Sequence, residues 1–181
     1  MHDYTVHTLE SAPDASQPAL AALQQAFGLV PNLAATMAES PVLIHGFVGA
    51  IMNFGKGSFT PGQRQLVLLT SAVGNKCAWA VAFHSTAALR EGVPAADVAA
   101  VRKGAVPESD RRTAVLVATA RALVTERGAI DASTRAAFEA AGFTPAQLLE
   151  VIAGLGASLM ATYAGNITQP PLEAPFAAQA W

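Results

Sequence analysis

Two five-residue segments, Phe59-Thr60-Pro61-Gly62-Gln63 and Phe143-Thr144-Pro145-Ala146-Gln147, share four residues of five and constrain the fold more than any other feature. In each, the threonine hydroxyl is placed to cap a helix, and proline has the fixed φ suited to the first helical residue. The glutamine can reach back to the threonine N–H, closing a capping box. Each segment therefore predicts a long apolar helix behind it. Duplication and coincidence both account for the echo. If the halves are copies, Ala161 and Thr168 stand where Cys77 and His84 stand in the first.

The rest of the chain is punctuated in the same way. Ser16 and Pro18 open a helix over Gln17 to Phe27, which Gly28 ends. A short one covers Leu33 to Glu39. Ser40-Pro41 opens another to about Phe54. From Phe59 a helix runs to about Val73. Asn75 is an N-cap candidate for the next, from Lys76 to about Arg90. Further helices are expected over Pro94 to Val101, Asp110 to Glu126, Asp131 to Ala141, and Pro145 to about Tyr163. No segment alternates with period two between turn signals, so the predicted class is all-α. The expected layout is an extended arm over residues 1–16, one helical domain over 17–165, and an extended proline-rich tail over 166–181.

Composition narrows the function. Only 13% of the 181 residues are charged and 52% are hydrophobic, so apolar surface is expected to be shared between subunits of a homo-oligomer. The formal net charge is −2 and no Lys/Arg cluster occurs, which argues against a nucleic-acid partner. The N-terminal stretch lacks a basic and then apolar leader pattern, and no apolar run reads as a membrane span. The single cysteine suits a reducing compartment, so the cytoplasm is the expected location.

That cysteine, Cys77, lies close to His84 in Asn75-Lys76-Cys77-Ala78-Trp79-Ala80-Val81-Ala82-Phe83-His84-Ser85. On a helix starting near Lys76, Cys77, Ala80 and His84 fall along one stripe. Cys77 then sits in the first turn, where the dipole favours a thiolate, although a lone cysteine is more commonly a buried core residue. His84 needs a proton partner to be functional. Trp79 could wall a pocket or pack in the core. His45, on a preceding helix, could face the same space or lie exposed. No residue spacing suggests a metal site, and no Gly-x-Ser-x-Gly elbow occurs.

Together with Pro31-Asn32-Leu33, Glu39-Ser40-Pro41 and Arg64-Gln65-Leu66-Val67-Leu68-Leu69, this stretch resembles the carboxymuconolactone decarboxylase superfamily. It is most similar to the alkyl hydroperoxidase D-like, peroxidase-related branch, from about Phe27 to Tyr163. The signature of that branch is Asn-x-Cys-x-x-Cys-x-x-x-His, with an acidic residue on the preceding helix. The resemblance implies an all-α fold, assembly into dimers, trimers or hexamers, and a redox cysteine pair needing no metal or cofactor. The second cysteine attacks peroxide and the first resolves it, while the histidine, a glutamate and water relay protons.

Here Ala80 occupies the second-cysteine position. Gln65 stands where many members have glutamate, and Gln63 is the next candidate for that place. Alanine has no nucleophile, and glutamine orients water without exchanging its proton near pH 7. The sequence leaves open whether Ala80 is natural or introduced. The expected function is a peroxidase-related thiol oxidoreductase impaired by Ala80. Cys77 is its remaining redox thiol, His84 its relay, a hydroperoxide its substrate and a thiol its reductant. The alternative is a non-redox, decarboxylase- or lyase-like enzyme or a small-molecule binder, with His84, Gln65 and His45 positioning a small organic molecule beside Trp79. A non-catalytic interaction protein is a third reading.

Overall fold

In the computed structural model, which describes residues 4–181, the chain is all-α: nine helices and two short 3-10 turns, with no strand among the described residues. In order the helices are α1 (Gln17–Phe27), α2 (Asn32–Met37), α3 (Pro41–Gly55), α4 (Pro61–Gly74) and α5 (Ala78–Arg90). They continue with α6 (Ala95–Arg102), α7 (Arg111–Thr125), α8 (Ala132–Ala140) and α9 (Pro145–Thr168). Residues 1–3 of the expected arm, His2 included, lie outside the described residues.

Both expected capping boxes form. Gln63 N–H donates to Thr60 Oγ1 (3.2 Å) and Thr60 N–H to Gln63 Oε1 (3.0 Å), with the same pair of distances at Thr144 and Gln147. Asp110 and Asp131 cap α7 and α8 through the N–H groups of Thr113 and Thr134, at 2.7 Å each. Ser16 behaves differently. Its hydroxyl donates to Ala38 O (2.7 Å) and ties the start of α1 to the end of α2 instead of capping.

The helix opened by Thr60 is the centre of the molecule. Every residue from Leu66 to Ala72 is buried. Leu66, Leu69 and Ala72 face one apolar core, shared with α1, α2, α5 and α6. Val67 and Leu68 face a second, with Phe54, Leu116, Phe138 and Phe143. Phe138 stacks on Phe143 at 4.5 Å, and the Arg112 guanidinium lies 4.4 Å over the latter ring.

The helix opened by Thr144 crosses this bundle against α2, α3, α4, α5 and α7. It runs five residues beyond the expected end at Tyr163. Glycines allow its close approach. A Cβ on Gly154 would stand under 3 Å from the Phe54 ring, and one on Gly165 would stand 2.8 Å from Cys77 Sγ. With a mean hydropathy of 1.4 over 18 residues, α9 has the length and composition of a membrane span, which the sequence reading did not expect. Of that window 44% is buried inside the bundle, which accounts for part of the apolarity.

Both termini dock. His7 Nε2 meets Glu39 Oε2 at 2.8 Å. The tail is not simply extended. It forms a 3-10 turn over Ala174–Gln179 that buries Phe176 against Trp79 and Phe83, and Arg102 donates to the carbonyls of Gln179 and Ala180.

Candidate functional site

The junction between α4 and α5 determines which side chains of the motif meet. Asn75 closes α4 instead of opening the next helix. Lys76 adopts φ +55°, and Cys77 follows as the N-cap with φ −97° and ψ 97°. The helix therefore starts two residues later than expected, at Ala78. Cys77 is not in its first turn, and the 100° progression that would align it with Ala80 and His84 does not reach it.

Cys77 is buried and turned toward α9, where its Sγ fills the space over Gly165 beside Leu33. Burial pushes its thiol pKa up, against a smaller downward pull from the N–H groups of Ala80 and Trp79. The expected thiolate is disfavoured because desolvation outweighs the helix terminus.

Ala80 and His84 face a different space. A cavity of about 380 Å³ lies between α1, α2, α3, α4, α5 and α9. Its walls are Leu23, Phe47, Phe54, Leu68, Trp79 and Phe83, with Gln65, Ala80, His84 and Ser158 among them; Lys56 and Arg64 also line it. Among the described residues, no aspartate, glutamate or cysteine lines it. Trp79 stacks on Phe83 at 5.2 Å, and its Nε1–H donates to Glu173 Oε2 (2.8 Å), so the C-terminal segment holds this wall.

Gln65 and His84 form a pair in the cavity wall. Gln65 Oε1 lies 2.9 Å from His84 Nδ1. An amide oxygen there assigns the ring proton to Nδ1 and leaves Nε2 as an unprotonated acceptor. The ring keeps some accessible surface because it lines the cavity. It is nonetheless enclosed enough that burial lowers its pKa to about 3. Water in the cavity would lessen that shift without changing its sign, so the imidazole is neutral at physiological pH.

Two residues named from sequence lie elsewhere. Gln63 is spent in the capping box of α4. His45 is exposed, with Nε2 2.6 Å from Ala15 O, and tethers the segment before α1. Sequence reasoning missed Arg64, Ser158 and the phenylalanines of the wall. Arg64 adjoins Gln65 in the quoted motif and was a readable signal. Ser158 lies within an apolar helix with nothing to single it out.

Residues 43–110, from α3 to the cap of α7, match the carboxymuconolactone decarboxylase family. This segment belongs to the carboxymuconolactone decarboxylase superfamily. The whole chain has the alkyl hydroperoxidase D-like fold. It is similar to the alkylhydroperoxidase AhpD core structure of an uncharacterized peroxidase-related protein from Ralstonia eutropha JMP134. The identity is 18% and the TM-score 0.82, over 96% of this chain and 93% of that one. It is similar also to an uncharacterized peroxidase-related protein from Silicibacter sp. TM1040, with 17% identity, a TM-score of 0.79, and 98% and 94% coverage. A third similar structure is the debrominase Bmp8, whose cysteine-to-alanine variant is solved in complex with 2,3,4-tribromopyrrole. That match has 18% identity, a TM-score of 0.80, and 99% and 96% coverage. No curated protein matches the chain in sequence.

Proposed function

We propose that this chain is a cofactor-independent enzyme that moves protons on a small apolar organic molecule held in the cavity, with His84 as the proton carrier and Gln65 as its positioning residue. The observation that carries this is the 2.9 Å Gln65–His84 contact in a cavity that the only cysteine does not line. Gln65 holds Nδ1–H, so Nε2 is free to accept a proton. A base with a depressed pKa is weak, but its conjugate acid returns the proton readily, which suits lyase-like chemistry in which a proton is removed and redelivered. Arg64 and Lys56, at the same cavity, favour negative charge developing on the bound molecule.

The peroxidase-related reading has one specific support. Ala80 lines the cavity one helical turn from His84, where a thiol would meet both peroxide and base. Stopped-flow mixing with tert-butyl hydroperoxide and dithiothreitol separates the two readings. Our reading expects no turnover above buffer and no change on Cys77→Ala. Turnover abolished by Cys77→Ala would restore the thiol oxidoreductase. Peroxide reduction appearing only in Ala80→Cys would mark the cavity as one from which a thiol has been removed.

The reading includes assembly. Leu149, Ile152, Leu159, Tyr163 and Ile167 are exposed along one stripe of α9, about 27 Å long at 1.5 Å per residue. A second copy is the occupant we assign to it, in a dimer, trimer or hexamer in the cytoplasm. Light scattering should give a mass at least twice 18.6 kDa. A monomer at micromolar concentration would remove this part of the proposal.

A further inference from the structure

The cavity contains a hydroxyl that the fold does not use. Ser158 is 3% exposed, lines the cavity from α9, and its Oγ has no hydrogen-bond partner. Four residues on, Thr162 donates to the Ser158 carbonyl (2.8 Å), the usual way a helix satisfies a buried hydroxyl. Ser158 makes no such bond, although an unpaired buried hydroxyl is costly. Polar groups of this kind set the orientation of ligands in otherwise apolar cavities.

The other polar groups in the wall indicate what kind of ligand would complete it. Gln65 retains its side-chain amide N–H groups, Arg64 and Lys56 carry only donors, and the Thr162 hydroxyl is already bonded to Ser158 O and Asn75; among the described residues no carboxylate lines the cavity. Donors therefore outnumber acceptors, and the unprotonated Nε2 of His84 is the exception. The aromatic walls of Phe47, Phe54, Trp79 and Phe83 suit a ring. We infer that Ser158 is a specificity-determining residue, whose hydroxyl donates to a carbonyl-type acceptor on a ring-sized molecule. This rests on the cavity being the ligand site, as in the function proposed above, but not on His84 acting as proton carrier.

The test uses two fluorinated probes of nearly the same shape, 4-fluoroacetophenone and 4-fluoro-α-methylstyrene, which differ in C=O against C=CH2. Each is titrated by 19F NMR into the full-length protein and into Ser158→Ala. The expected result is about tenfold weaker binding of the ketone to Ser158→Ala, about 1.4 kcal/mol, with binding of the alkene unchanged or tighter. Thermal melting without ligand gives a second readout. Removing an unpaired hydroxyl should leave Tm unchanged or higher. Equal effects on both probes, or none on either, would overturn the role of Ser158 while leaving the cavity as the ligand site. Failure of both probes to bind the unaltered protein would overturn the ligand class and the cavity reading together. A Tm several degrees lower in Ser158→Ala would show that the hydroxyl is bonded within the fold and overturn the inference.

Discussion

Gln65 Oε1 stands 2.9 Å from Nδ1 of His84, and this contact sets which ring nitrogen keeps the proton. Gln63, two residues earlier on the same helix, does unrelated work in the capping box. Substitutions at the two positions should therefore separate. Gln65→Leu leaves a buried Nδ1–H unpaired and should cost about 1–3 kcal/mol in denaturant unfolding. It should also weaken any cavity ligand. Gln63→Ala should cost about 0.5–1 kcal/mol as a lost cap and leave ligand binding unchanged. Equal effects on binding would mean that the cavity is not organised by Gln65.

Stability should depend on pH through His84. Unfolded, the imidazole titrates near its ordinary value of about 6.5; folded, burial holds it at about 3. As pH falls below about 6.5, the unfolded chain takes up a proton that the folded ring does not. The contribution of His84 is thus complete above about pH 6.5 and is lost progressively toward pH 3. His84→Gln should flatten part of the decline in Tm between pH 7 and pH 4. An unaltered slope would mean that His84 is not held neutral by the fold.

The position of Cys77 predicts an unreactive thiol. It is buried beneath Gly165, and burial raises its pKa. A maleimide should label the native protein slowly and at a rate that follows global unfolding, then label it at once in guanidinium. Rapid native labelling would place the thiol at the surface or in the cavity. Gly165→Ala would press a methyl onto Sγ and should cost about 1–3 kcal/mol by overpacking. The double change with Cys77→Ala should recover part of that cost.

Helix starts were legible in the sequence because capping is local. Thr60, Asp110, Asp131 and Thr144 each need only a backbone N–H three residues away. His84 and Gln65 were legible as candidates through the family resemblance, and their pairing matches helices that lie side by side. The facing of Cys77 was not legible. It follows from the positive φ of Lys76 and from how closely a glycine lets α9 approach, neither of which a helical wheel contains. The same limit applies to His45, whose partner is the backbone before α1, and to Ser158, whose surroundings come from five other helices.

The most direct measurement is 15N NMR of the His84 imidazole at pH 7, assigned by comparison with His84→Gln. The account predicts a neutral ring protonated at Nδ1, with the Nε2 resonance at the position of an unprotonated nitrogen and no titration above pH 5. A His84 that carries protons on both nitrogens at pH 7, or holds its proton on Nε2, would contradict it.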